Sequence, residues 1–252
     1  MKIAIITVAG ISSRFNEGVP EEERELKAIY TETDREGTLL YHLLDKCRFA
    51  DRIIVVGGYR YRSLELYCYE MREAFGDKLD IVFNEKFDSL GSGYSLYLGL
   101  EKAFEYNPDE IVFVEGDLDI DRQSFDKVVD SNVSVLTYTY EPIYANKAVV
   151  LYLDANGKYQ YAFNSDHGLL SISEPFACIL NSGQIWKFSD IEKLNEANKE
   201  FFDNTIEGTN LQIIQNYLDK GVEVSLVDIK RWTNCNTRKD FKKIASYWEG
   251  EL

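Results

Sequence analysis

An apolar run, broken only by Thr7, extends from Ile3 to Val8 and stops at the small-residue turn Ala9-Gly10-Ile11-Ser12-Ser13-Arg14. A short continuous apolar run bounded by a glycine turn is the pattern of a strand buried on both faces of a parallel sheet. Leu39, Leu40, Leu43, Leu44 and Cys47 then recur at helical spacing behind Thr38, a good N-cap. Arg52 to Val56 gives a second strand that ends at Gly57-Gly58-Tyr59. Leu64, Tyr67, Cys68, Met71 and Phe75 share one helical face, and Gly76 ends that helix. Leu79 to Phe83 and Ile111 to Val114 repeat the strand pattern, with Leu96, Leu100 and Ala103 marking the helix between them. Strands that alternate with helices predict an α/β fold, with a mostly parallel, Rossmann-like sheet flanked by helices.

Beyond residue 130 the period changes. Val133 to Tyr140 alternates, and Lys147 to Leu153 and Lys158 to Phe163 flank Asp154-Ala155-Asn156-Gly157, a hairpin signal. Gly168 to Ser173 and Phe176 to Leu180 read as further strands, so this half carries an antiparallel insertion. Gly183-Gln184-Ile185-Trp186 reads as the start of a helix through Lys193, and a second helix is expected from about Asn204 to Lys220. Val222 to Val227 is a strand. Thr237 and Asp240 form a capping-box-like start to a closing helix with Phe241, Ile244, Ala245 and Trp248 on its inner face. The expected organisation is one domain over 1–252, with residues 1–130 and 131–252 as its halves.

A formal charge of −15 repels nucleic acid and anionic lipid, so neither is an expected partner. A nucleotide would have to be met by a local basic patch, for which Arg14, Arg24 and Lys27 are the candidates, or be carried with a divalent cation that acidic residues hold. Cys47, Cys68, Cys178 and Cys235 show no CxxC and no metal-ligand spacing, which is the usage of reduced thiols in a cytoplasmic protein. No stretch approaches the roughly twenty apolar residues of a membrane span. His42 and His167 are the two histidines, and both read as structural or surface residues.

In a parallel sheet, ligands bind outside the carboxyl ends of the strands, so the loops after Val8, Val56, Phe83 and Val114 should converge. The turn after Val8 lets backbone N–H groups approach phosphate oxygens, while Arg14 and Lys27 add positive charge. Neither G-x-G-x-x-G nor a P-loop is present. Glu115-Gly116-Asp117-Leu118-Asp119-Ile120-Asp121 sets alternating carboxylates at a strand end, where oxygen ligands suit a hard cation. Asp121 fits a helix cap better than a ligand.

Ala9, Gly10, Ser12, Arg14 and Lys27 resemble the A-G-x-(small)-x-R…K signature of nucleotidyltransferases of the nucleotide-diphospho-sugar transferase fold. Ser12 replaces the commoner glycine, and Ala28 stands where proline usually follows the lysine. The resemblance implies that Ala9, Gly10, Ser12, Asn84, Gly91, Ser92 and Ser95 contact the nucleotide and that Arg14 and Lys27 are catalytic. Asp117 matches the metal-binding G-D position. Asn236 occupies the place of the second metal ligand, usually the Asp of an Asp-Thr pair; Asn offers an oxygen but no charge. Asp119 is the alternative ligand.

The implied reaction is Mg²⁺-dependent: an acceptor phosphate or phosphonate oxygen attacks the α-phosphorus of an NTP, and pyrophosphate leaves. The short chain and the A-G-x-S-x-R form resemble cytidylyltransferases for phosphocholine and similar compounds, which makes CTP and a small phosphorylated or phosphono acceptor the expected substrates. Tyr138, Trp186 and Asp190 are the acceptor-side candidates, since aromatic faces with carboxylates suit a cationic head. Sugar-1-phosphates are the other acceptor class. A glycosyltransferase using Asp117-Leu118-Asp119 and a non-catalytic nucleotide-binding regulator are rival readings, and a homodimer stays open.

Overall fold

The structure, a computed structural model, describes residues 1–144, 149–162, 165–166, 169–248 and 250. Its first half follows the predicted alternation: β1 (Lys2–Val8), α1 (Leu39–Lys46), β2 (Arg52–Gly57), α2 (Tyr61–Phe75), β3 (Leu79–Phe83), α3 (Ser92–Phe104) and β4 (Glu110–Glu115). Thr38 caps α1 by accepting from the Tyr41 N–H at 3.0 Å. Gly76 ends α2 with φ +68°, a backbone conformation that glycine adopts without strain. After β4 come β5 (Leu118–Ile120), α4 (Arg122–Val129) and β6 (Ser134–Thr139). Asp121 caps α4 through the Ser124 N–H at 2.8 Å.

The second half continues through β7 (Val150–Asp154), β8 (Tyr159–Tyr161), the short β9 (Ser165–Asp166) and β10 (Leu169–Leu170), then β11 (Phe176–Phe188). The expected hairpin turn is present: Asp154 Oδ1 accepts from the N–H groups of Asn156 and Lys158, and Gly157 takes φ +79°. His167, Lys147, Phe163 and Gly168, which figure in the sequence reading, lie outside the described residues. The chain closes with α5 (Ile191–Asn204), α6 (Asn210–Asp219), β12 (Val224–Ile229), β13 (Trp232–Asn234) and α7 (Arg238–Trp248). Thr237 and Asp240 cap α7 reciprocally, each side chain accepting from the other's backbone N–H at 3.2 and 2.8 Å.

One sheet runs through both halves in the order β12-β6-β11-β4-β1-β2-β3. β1 through β4 are parallel neighbours, β11 is antiparallel to β4 and β6, and β7 and β8 extend it as the antiparallel insertion. A smaller ribbon pairs β13 with β5 antiparallel. Ala4, Ile6, Val112 and Val114 pack on one face of the sheet against α1, α2 and α4, while Ile3, Ile5, Ile111 and Phe113 pack on the other against α3, α5 and α6.

In the segment read as a helix from Gly183 to Lys193, Ile191 to Lys193 do open α5, but Gly183 to Phe188 is the second half of β11. Its apolar residues serve both faces of a central strand, a pattern that over a few residues mimics a helical stripe. Gln184, at φ +57°, forms a bulge that shifts the β11–β6 register between Ser182 and Trp186. No helix among the described residues is long and apolar enough to cross a membrane.

Candidate active site

The loop after β1 is held open by its own side chains. Ser12 takes φ +60°, and its Oγ accepts from the Lys27 N–H at 3.3 Å. Asn16, almost fully buried, donates to the carbonyls of Ser12 and Glu25 at 3.1 and 2.8 Å and accepts from the Glu25 N–H. The loop is thereby pinned so that Ala9, Gly10 and Ser12 face a cleft at the carboxyl edge of the sheet. Gly116 lets the end of β4 come in beside β1, since a Cβ there would sit 2.3 Å from Val8 Cγ1 and 2.6 Å from the Thr7 carbonyl.

That cleft, about 250 Å³, is walled by all seven residues expected to meet a nucleotide: Ala9, Gly10, Ser12, Asn84, Gly91, Ser92 and Ser95. Gly91 is the N-cap of α3, so the positive end of that helix faces the space. Asn84 and Ser95 are bonded to each other at 2.9 Å, with the Asn84 oxygen accepting from the Lys86 N–H; these side chains shape the wall. A Cβ on Gly91 would lie 2.3 Å from the Gly208 carbonyl, which fixes how near the α5–α6 connection approaches α3.

Lys27 and Asp117 stand at one end of the cleft. The Lys27 ammonium donates to Asp117 Oδ2 at 2.7 Å and to the Cys235 carbonyl at 3.0 Å, while the Cys235 N–H donates to the Asp117 carbonyl at 2.7 Å. Asp117 Oδ1 is buried with no hydrogen-bond partner among the described residues, although buried carboxylate oxygens are ordinarily satisfied. Next along the chain, Asn236 Oδ1 accepts from Arg14 at 2.7 Å, and its amide donates to Asn234 Oδ1 at 2.5 Å. The two expected metal positions thus stand on segments joined by the Cys235–Asp117 backbone bond. An unpartnered carboxylate oxygen and an amide oxygen fit Mg²⁺, which keeps several waters and takes further ligands from substrate phosphates. Among the described residues no group of three or more His, Cys, Asp or Glu could hold an ion without such help.

Two residues of this cleft were not assigned from sequence. Glu115 ends β4; burial and then the Asp117 charge push its carboxyl up to about 7, against a hydrogen bond from Asn210 Nδ2 at 2.8 Å. Asn210 also accepts from Ser92 Oγ at 3.1 Å, so it ties α6 to both β4 and α3. A carboxylate closing an all-apolar strand was the available signal for Glu115; Asn210 had none, because a lone Asn at a helix start reads as a cap.

Asp119 is not a metal ligand. Its buried carboxylate is paired with Arg231 and accepts from Trp248 Nε1 at 3.0 Å, on the side of the β5–β13 ribbon that packs beneath α7. Arg24 donates to the Val19 carbonyl within its own loop and lines neither cleft.

The acceptor-side candidates are corrected by the fold. Trp186 is wholly buried, stacked on Phe113 with centroids 5.1 Å apart, and its Nε1 donates to the Tyr161 hydroxyl at 2.7 Å. It is a core residue and cannot face a ligand. Trp186→Leu is accordingly expected to lower stability, by less than the roughly 3–5 kcal/mol of a truncation to alanine, and to leave acceptor KM unchanged. Denaturant unfolding and steady-state kinetics on the variant check this pair of outcomes. Asp190 caps α5 through the Lys193 N–H, just past Phe188, which pairs with Ile111 near the start of β4; that is the opposite edge of the sheet. Tyr138 pairs its hydroxyl with that of Tyr140 at 3.3 Å and lines neither cleft.

A second cleft, about 470 Å³, is lined by Arg14 and Asn236, neither of which lines the first. Glu141, Asn181, Trp232 and Lys243 line it together with Arg14 and Asn236.

The family model described as a domain of unknown function, DUF6564, matches residues 23–248. The chain belongs to that family. No curated protein sequence matches this DUF6564 chain. Among solved structures, it is similar to the inositol-1-phosphate CTP transferase from T. maritima at 17% identity and TM-score 0.68, covering 98% of this chain and 95% of that one. A nucleoside-diphosphate-sugar pyrophosphorylase from Vibrio cholerae RC9 aligns at 15% identity and TM-score 0.70, over 98% and 100% of the two chains. The CTP:phosphocholine cytidylyltransferase from Streptococcus pneumoniae aligns at 16% identity and TM-score 0.64, over 98% and 99%. The DUF6564 chain therefore has the mixed α/β fold of these proteins, as its sequence motifs imply.

Proposed function

We propose that this protein is a Mg²⁺-dependent nucleotidyltransferase, joining an NTP, with CTP the first candidate, to a small phosphorylated or phosphono acceptor and releasing pyrophosphate. The observation that carries this reading is one cleft lined by all seven nucleotide candidates together with the paired Lys27 and Asp117, with Arg14 and Asn236, bonded to each other, lining a second. Two of the similar structures are of enzymes named for CTP, which is the reason to try CTP first; others are named for thymidylyl transfer and for UDP-glucose.

In this reading the small-residue turn from Ala9 to Ser12 and the N-terminus of α3 receive the nucleotide. Lys27 and Arg14 stabilise negative charge as it redistributes at the α-phosphorus. The acceptor phosphate is already a competent nucleophile, so positioning takes the place of a dedicated general base. Asp117 Oδ1 and Asn236 Oδ1 would hold the magnesium ion, which when bound neutralises phosphate charge and orients the triphosphate. With one carboxylate in that pair, itself neutralised by Lys27, the protein alone binds the ion weakly and takes it up with the nucleotide.

A pyrophosphate-release assay across four NTPs and a panel of phosphorylated acceptors tests the reading. Turnover with sugar-1-phosphates alone would favour the sugar-activating alternative, and nucleotide binding without pyrophosphate release the regulator. Asn236→Asp is expected to tighten Mg²⁺ several-fold in a nucleotide-saturated titration, because a second carboxylate binds a hard cation better than an amide. An unchanged titration would remove Asn236 from the metal position.

A further inference from the structure

The second cleft holds a polar atom whose hydrogen bonding is incomplete. Asn181 lies on β11 immediately before the bulge, where its backbone pairs with Thr139 of β6 on one side and Val150 of β7 on the other. Its position is therefore fixed from both flanks. The residue is 5% exposed and lines the cleft. Its side-chain amide donates to the Glu141 carbonyl at 3.3 Å, which determines which end of the amide is which, since a carbonyl can only accept. Among the described residues no donor reaches the buried Asn181 Oδ1 atom. A buried amide oxygen in that state is costly unless something arrives to satisfy it.

The surrounding charges are divided. Arg14 and Lys243 line the cleft with positive charge, as a phosphate or phosphonate requires, whereas the exposed Glu141 lines it with a carboxylate; Asp240, the other carboxylate of the lining, is engaged in capping α7. The Trp232 indole N–H is already engaged with the Gly183 carbonyl at 3.0 Å, so it contributes apolar surface and no donor. A ligand matched to this cleft is anionic at one end. At the other end it brings positive charge and at least one hydrogen-bond donor of its own.

We propose, resting on the nucleotidyl-transfer reading, that the acceptor has a primary ammonium head, whose N–H groups satisfy Asn181 Oδ1 while Glu141 balances its charge. A trimethylammonium head carries the same charge but no N–H, and would leave Asn181 unsatisfied beneath three methyl groups. A neutral hydroxyl head could satisfy Asn181 but would forgo Glu141. Asn181 is thus a specificity-determining residue of the acceptor cleft.

The test is calorimetric binding of O-phosphoethanolamine, 2-aminoethylphosphonate, phosphocholine and glycerol-3-phosphate to the full chain, in Mg²⁺ with a non-hydrolysable CTP analogue. The amines are expected to bind at least about tenfold tighter than phosphocholine, a difference of about 1.4 kcal/mol. Asn181→Leu should shrink that preference to under about twofold, and the near-isosteric Asn181→Asp should keep or widen it, with CTP-analogue affinity unchanged in both. Should the leucine variant not fold, the aspartate variant decides alone: a reduced preference for the amines there overturns the proposal. Phosphocholine binding as tightly as the amines, a preference that survives Asn181→Leu, or no binding by either amine would also overturn it. Parallel pyrophosphate-release assays separate the two levels. Selective amine binding without turnover on any acceptor would sink the reaction while leaving the cleft's specificity standing, and turnover with sugar phosphates alone would do the reverse.

Discussion

Asp117→Ala is expected to cut nucleotidyl transfer by at least about a thousandfold while leaving the fold intact. A catalytic metal supplies several kcal/mol of charge stabilisation, and each 1.36 kcal/mol is about tenfold in rate. Asp117 offers the only carboxylate in the expected metal pair, and its Oδ1 has no other partner. The fold survives because its backbone carbonyl still accepts from the Cys235 N–H. Pyrophosphate release at saturating Mg²⁺, with thermal unfolding alongside, checks both halves. Turnover within tenfold of the parent would remove Asp117 from the chemistry.

Lys27→Ala should lower kcat/KM by roughly a hundred- to a thousandfold, the range seen when one pre-organised donor is deleted from a site where negative charge develops. Part of any loss could come from structure, since the Lys27 ammonium also links Asp117 to the Cys235 carbonyl. Lys27→Gln separates the two contributions: the amide can still donate to that carbonyl but carries no charge. Stability restored without turnover marks a role for the charge in the reaction. Turnover restored by glutamine would assign Lys27 to the scaffold instead.

The parallel half of the fold was legible because its strands are short, mostly apolar runs and its helices amphipathic stripes, with caps visible at Thr38, Gly76 and Asp121. Short motifs were equally legible where the chain itself sets the geometry, as in the turn after β1. β11 was misread because a strand buried on both faces loses its alternation, and a bulge at Gln184 breaks what remains. Trp186 followed from that error: an aromatic with a polar N–H suits both an exposed ligand wall and a core, and only the Tyr161 hydroxyl, remote in sequence, decides between them. Asp119 was ambiguous for the same reason, since Arg231 and Trp248 lie at the far end of the chain. Asn181 and Asn210 carried no local pattern at all; their significance arises from which neighbours they lack or join.

The packing of α7 ties the two ends of the chain together. Phe241, Ile244 and Trp248 bury against Phe15, Tyr30 and Leu39, with the Tyr30 and Phe241 rings 5.0 Å apart and the Arg238 guanidinium over Tyr30 at 4.2 Å. The segment that carries Ser12, Arg14 and Lys27 has little regular structure of its own beyond short 3-10 turns and rests on the last helix of the chain. Its order is therefore non-local: that contact closes a loop of nearly the whole chain, and its closure entropy is repaid only when the sheet between has assembled. The loop after β1 thus belongs to the global cooperative unit, and opening it by undocking α7 draws on the stability of the whole molecule rather than of the loop alone.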